Sequence, residues 1–215
     1  MRVNAKELLE LVKFMNNFVA TVKLNPTDDK LYSHAISPSK AAYIYYEIPY
    51  YDEPMTICFD ITKELINALK AFGDTDIEIN THRNKYVFTD GELKFKTPII
   101  HPETVEEPKL AIKEFKYKVG AAIPLKIWKL ILNEQFINLI LEDGKLKFIT
   151  ESVEYSVDTE VIPEEKIDVV IQSQFFELLP SPSFTIEFEK TDYPISVWCG
   201  KAYLLIAPVI RNEDY

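Results

Sequence analysis

The chain has 215 residues, 47% of them hydrophobic and 13% aromatic, with only 5 glycines, a composition that excludes long disordered or low-complexity tracts. Its formal net charge of −10 argues against a protein that coats itself with nucleic acid, although binding depends on where charge sits and not on its total. No stretch approaches the roughly 20 apolar residues of a membrane helix, and Cys58 and Cys199 lie far apart with no CxxC or Cys/His cluster, which argues against a zinc site or a disulfide scaffold.

Asn4 precedes a run in which Ala5, Leu8, Leu9, Val12 and Met15 recur at helical spacing, and Glu7 stands three residues after Asn4 in a capping-box pattern. The start thus reads as a folded amphipathic helix and not as a signal peptide, so the chain is expected to be cytoplasmic, or nuclear in a eukaryote. Short β-rich runs follow at 18–24, 30–36, 41–48 and 55–60, separated by the turn-forming NPTDD, SPSK and PYYDEP. A second helix is predicted over 62–72, with Leu65, Leu69 and Phe72 on one face and Gly73 as its stop. Strands at 75–79, 85–88 and 92–97 complete the first half, the last two joined through Asp90-Gly91.

The segment PIIHPETVEEPKLAIKE, residues 98–114, carries three prolines and a cluster of acids with no sustained period, and its 100–112 stretch reads as an extended connector. Beyond it the order repeats. A strand at 115–119 is followed by a helix over 123–134 and strands at 136–142, 145–150, 153–159 and 166–172. A short helix, QFFELL, ends at Pro180, and strands at 183–188, 194–199 and 202–208 close the chain. LNPTDDKLY in the first half matches LEDGKLKF in the second, and the hairpins GELKFKTP and GKAYLLIAP both end in a strand followed by proline, at an offset of about 110 to 117. Two equivalent α+β domains, 1–99 and 113–215, joined by the connector 100–112, are therefore expected, each with helices on one side of an antiparallel sheet.

Basic residues gather on the helices. Lys6 and Lys13 lie seven apart opposite the apolar stripe of the first helix, with Glu10 between them; Lys63, Asn67 and Lys70 form one polar row on the second; Lys126, Lys129 and Asn133 form another on the third. Any one such row is ordinarily a solvated face. Equivalent rows from two domains could also line a common concave surface, where lysine, a mobile point charge, meets phosphate without reading bases.

Three segments in order resemble the archaeal and eukaryotic sliding clamp family, proliferating cell nuclear antigen (PCNA): AISPSKAAYI at 35–44, ICFDITKELINALKAFGDTDIEI at 57–79, and LLIAPVIRNED at 204–214. The resemblance implies tandem clamp domains, each with two helices on antiparallel sheet, in a ring of three subunits with helices inside. It implies sequence-independent contact with double-stranded DNA, and as partners a DNA polymerase, a clamp loader and other clients that insert a short aromatic-anchored helix into an outer pocket. Carried over by position, that pocket comprises Ile36 and the stem of Lys40, Leu110 and Ile112 of the connector, and Ala207, Pro208, Val209 and Ile210. The chain departs from the family in its shortness, in the short final hairpin between Pro194 and Ala207, in Ile36 where methionine is common, and in a fourth helix with Glu177 and no lysine. Such compactness suits a viral, plasmid or accessory version.

The enzyme alternative finds little support in the residues. No glycine stands in a GxxxxGK or GxGxxG setting, and His34, His82 and His101 lack a spaced metal-ligating or acid-base partner. Glu106-Glu107 reads as solvated charge. No catalytic residue, metal or cofactor is therefore expected. The other alternative is a clamp-fold scaffold that binds partners without encircling DNA, because ring closure needs edge strands that match.

Overall fold

The computed structural model describes residues 1–108 and 115–209, which fall into two compact units, one of 1–38 with 45–108 and one of 39–44 with 115–209. The first unit begins with β1 (Arg2–Asn4) and α1 (Ala5–Met15), followed by β2 (Thr21–Pro26), β3 (Lys30–Ile36), β4 (Ala42–Pro49) and β5 (Ile57–Asp60). It continues through α2 (Lys63–Phe72), β6 (Asp76–His82), β7 (Lys85–Thr89) and β8 (Lys94–Pro98). Hydrogen bonding orders its strands as β1-β6-β7-β8 and β5-β2-β3-β4.

Local chemistry accounts for the helix boundaries. Asn4 Oδ1 accepts from the backbone N–H groups of Lys6 and Glu7, satisfying two donors that the first turn of α1 leaves open. Thr62 caps α2 by accepting from Leu65 N, and Gly73 ends it at a φ of +69° that a side chain would resist. The stripe Ala5, Leu8, Leu11, Val12 and Met15 of α1 is fully buried, as are Leu65 and Leu69 of α2. These helices contact each other, α1 also meeting β1 and β3 and α2 meeting β8, and Val22, Phe59, Ile77 and Phe88 are fully buried in the strands, with Phe59 and Phe88 meeting edge to face at 5.9 Å.

The second unit repeats the plan. β9 (Tyr117–Ala122) leads into α3 (Leu125–Leu132), then β10 (Phe136–Glu142), β11 (Lys145–Ile149), β12 (Glu154–Asp158) and β13 (Ile167–Gln172); β14 (Ser183–Phe188), β15 (Ile195–Cys199) and β16 (Ala202–Ile206) follow. Its strand orders, β9-β14-β15-β16 and β13-β10-β11-β12, reproduce those of the first unit element for element. The β10–β11 hairpin turns through Asp143 and Gly144, both at positive φ, and the Gly144 backbone comes close to Thr159, whose N–H donates to Gly144 O. A Cβ at Gly144 would stand 3.1 Å from Thr159 O, so this turn accepts glycine for space as well as for conformation. The core is an aromatic cluster: Trp128 lies 5.5 Å from Phe176 and 5.2 Å from Phe184, and Phe148 joins at 6.3 Å from Phe184.

One predicted element is corrected. The expected helix QFFELL is a single 3-10 turn, Ser173–Phe175, so among the described residues the second unit has one α-helix where the first has two. Ser173 is already committed, its N–H donating to Gln135 O and its hydroxyl to Glu134 O, and Pro180 closes the segment before a second turn can repay the nucleation cost. Burying Phe175, Phe176 and Leu179 in the core holds the tighter turn in place.

The connector is also less free than its composition predicts. It contains a 3-10 turn, Pro102–Thr104, Ile100 N donates to Cys58 O, and Glu107 forms a salt bridge with Lys23 at 2.7 Å while accepting from Asn25 at 3.0 Å. Glu107 is thus an anchoring residue and not simply solvated charge.

Candidate nucleic-acid interface and partner site

The helix rows form because the apolar stripe turns inward and leaves the opposite residues in water. Lys6 and Lys13 on α1, Lys63, Asn67 and Lys70 on α2, and Lys126 and Lys129 on α3 are all exposed. Lys6 forms a 3.4 Å salt bridge with Asp74, a pair more than half exposed on both sides and therefore weak. The hydrogen bond from Asn4 and then the one from Lys6 hold the Asp74 carboxyl below its ordinary range. Among the described residues Lys13, Lys63, Lys70, Lys126 and Lys129 carry no salt bridge, so their charges face solvent available to an anionic partner. The α3 row differs from the others in lying between exposed leucines, Leu125 at 58% and Leu130 at 42%.

The residues assigned to partner binding divide between the units. In the first, Ile36 ends β3 and is 40% exposed, although the preceding Ala35 and following Ser37 are buried. In the second, Lys40 is exposed and takes a φ of +58°. Ala207 is exposed, while Pro208 and Val209 are half-buried. The segment is pinned at two points, Ala207 N donating to Ala41 O at 2.8 Å and Val209 N to Val170 O at 2.7 Å. Leu110, Ile112 and Ile210 lie outside the described residues.

Both cysteine thiols are buried, and burial pushes their pKa up, away from the reactive thiolate. Among the described residues no group of three or more His, Cys, Asp and Glu side chains could hold a metal ion, and no helix is long and apolar enough to cross a membrane. Sequence reasoning missed the character of the sheet edges: β8, which begins Lys94-Phe95-Lys96, and β12, which carries Glu154 and Asp158, each have one hydrogen-bonded neighbour among the described strands. The alternation of charged and apolar residues in KFKT and EYSVD was a signal for them.

No known protein-family model and no curated protein matches the sequence. Solved structures do. The PCNA of A. fulgidus, in a structure with the C-terminal region of FEN-1 bound, is 17% identical, with 99% of this chain and 98% of that chain covered at a TM-score of 0.76. A structure of the PCNA2-PCNA3 complex from Sulfolobus tokodaii matches at 19% identity, with 97% and 99% covered and a TM-score of 0.70. The DNA polymerase III subunit beta of Pseudomonas aeruginosa matches at 15% identity and a TM-score of 0.75, with all of this chain but 66% of the bacterial chain covered.

The protein therefore has the fold of the DNA sliding clamps. It is the two-unit form of that fold, matching the PCNA chains over nearly their full length and the longer bacterial subunit over about two thirds.

Proposed function

We propose that this protein is a sliding clamp that encircles duplex DNA as a ring, holds it through the helix lysines without reading sequence, and tethers a DNA polymerase and other clients while a clamp loader places it. The observation that carries this reading is that Lys13, Lys63, Lys70, Lys126 and Lys129, exposed on the three described α-helices of a clamp fold, have no salt bridge among the described residues, in a chain whose net charge is −10. A generally acidic surface repels the duplex and local lysines attract it, a combination suited to loose, mobile contact. The DNA-facing residues are Lys6, Lys13, Lys63, Asn67, Lys70, Lys126 and Lys129. Ile36, Lys40, Ala207, Pro208 and Val209 are assigned to client peptides, a role supported by the FEN-1 region bound to the structurally similar A. fulgidus PCNA. The protein works as a tether and not as a catalyst.

Primer extension on circular and linearised templates, with polymerase and loader supplied, tests the reading. Longer products are expected on the circle, with the gain lost when free ends let the ring slip off. A stable monomer that leaves product length unchanged on both templates overturns it.

A second reading, a scaffold of clamp fold that binds clients without encircling DNA, is favoured by the second unit, where a 3-10 turn replaces a helix and Leu125 and Leu130 flank the lysines. It predicts client-peptide binding with no effect of template topology.

A further inference from the structure

The described part of the connector is held at two points, both on the β5-β2-β3-β4 strands of the first unit. At its start Ile100 N donates to Cys58 O of β5 at 3.0 Å. At its end the Glu107 carboxylate meets Lys23 Nζ at 2.7 Å and accepts from Asn25 Nδ2 at 3.0 Å, both on β2. Between these points the backbone N–H groups of Thr104 and Val105 donate to His101 and Pro102, which closes the Pro102–Thr104 turn on itself. Among the described residues, Glu107 thus supplies the polar contacts that tie the second half of the connector to the strands.

Strand alternation fixes where this clasp stands. Val22 and Leu24 of β2 are fully buried, as is Leu31 of β3, so Lys23 and Asn25 share the opposite face with Tyr32, His34 and Ile36. Glu107 and Lys23 both lie close enough to His34 for their charges to reach its ring. Ile36, assigned above to client peptides, follows His34 on that face and is 40% exposed. The clasp is asymmetric. Lys23 keeps only 17% of its side chain exposed and Asn25 is buried, so the strand side is fixed by its surroundings, whereas Glu107 keeps 45% and can exchange its partners for water. The carboxylate is the releasable half, and the chain it carries is the connector.

We propose that Glu107 is a positioning residue for client binding: by clasping Lys23 and Asn25 it holds the connector on the β2–β3 face beside Ile36, in the arrangement that a client peptide meets. The inference rests on the client-binding reading above and adds to it a residue that acts through the connector and not by touching the client. A connector held in place before the peptide arrives spares the complex the cost of ordering it. An unclasped connector that keeps this position about a tenth of the time lowers affinity about tenfold.

Amide hydrogen exchange and a fluorescence titration test the proposal together, both on the full chain, the titration with a labelled peptide that forms a short aromatic-anchored helix. Glu107→Ala should speed exchange over 103–107 and raise the peptide Kd roughly tenfold, while the urea midpoint stays near that of the native chain. Lys23→Met keeps the apolar stem and removes the ammonium, and should have the same effects from the strand side. Glu107→Gln keeps an acceptor for both partners and should fall between the native chain and Glu107→Ala. This graded order separates a clasp from a general loosening of the unit, which would lower the urea midpoint in step with affinity. Unchanged exchange in Glu107→Ala, or faster exchange with native peptide affinity, overturns the positioning role and leaves the client reading standing. A native chain that binds no such peptide overturns the client reading, and the positioning role falls with it even where exchange responds.

Discussion

His34 shows how one side chain couples to the connector. It sits half-buried on β3 with its ring edge-on to Tyr32 at 5.5 Å, and burial lowers its pKa below the usual 6.5; Glu107 raises it and Lys23 lowers it again. Below pH 6.5 the unfolded chain accordingly binds more protons at this residue than the folded one, so stability falls as pH drops from 6.5 toward the folded value. Glu107 has the opposite shift, its carboxyl held low chiefly by the hydrogen bond from Lys23. Its contribution is present above the ordinary value of 4.5 and is lost as pH falls through the folded value. Urea midpoints of His34→Gln, measured across pH, should show a flatter slope below 6.5, while a loss through the Glu107 titration below 4.5 persists because Lys23 remains its main partner. An unaltered slope in the upper window would show that His34 does not carry it.

Trp128 decides how α3 is seated. The helix is only eight residues long and has no side-chain cap, since Pro124 occupies the N-cap position, so it depends on packing more than α1 and α2 do. Trp128 supplies that packing, resting against Phe176 and Phe184 at 5.5 and 5.2 Å, and the same Phe176 holds the 3-10 turn. Trp128→Ala is expected to cost about 3–5 kcal/mol in chemical denaturation, the range for a large aromatic removed from a core. Loosening of the 173–179 segment should accompany it, visible as faster amide exchange there than elsewhere in the unit. A loss below about 1 kcal/mol would mean that the cluster does not hold α3.

For the molecule as a whole, two surfaces should be separable. Lys63→Glu with Lys70→Glu changes four units of charge on an exposed row of α2 without touching its buried face, so DNA-dependent stimulation should drop several-fold at moderate salt and fall less steeply with added salt than that of the native protein, while client-peptide affinity is kept. Ile36→Ala with Pro208→Ala should do the reverse, weakening a labelled client peptide in a fluorescence titration by roughly tenfold while DNA stimulation falls only as far as client loss requires. Equal loss of both activities in either variant would show that the DNA row or the client residues are misplaced.

Much of this architecture could be read from periodicity. The stripe from Ala5 to Met15, the alternation in KLYSHAI, and the Asp-Gly turns each depend on neighbours a few residues away, and local patterns suffice for such elements. The repeat of element order was legible for the same reason, and so were the lysine rows, which follow once the buried face of a helix is known. The segment around Phe176 was not, because its local pattern suits a helix while long-range bonds from Ser173 to Glu134 and Gln135 hold it as a 3-10 turn. Glu107 looked like one more solvated acid until folding brought Lys23 beside it. The sheet edges were hidden most deeply. Whether Lys94 and Lys96 lie inside a sheet or along its border is decided by strand order, a property of contacts distant in sequence, and only the tertiary structure could show that β8 ends one sheet and β12 another.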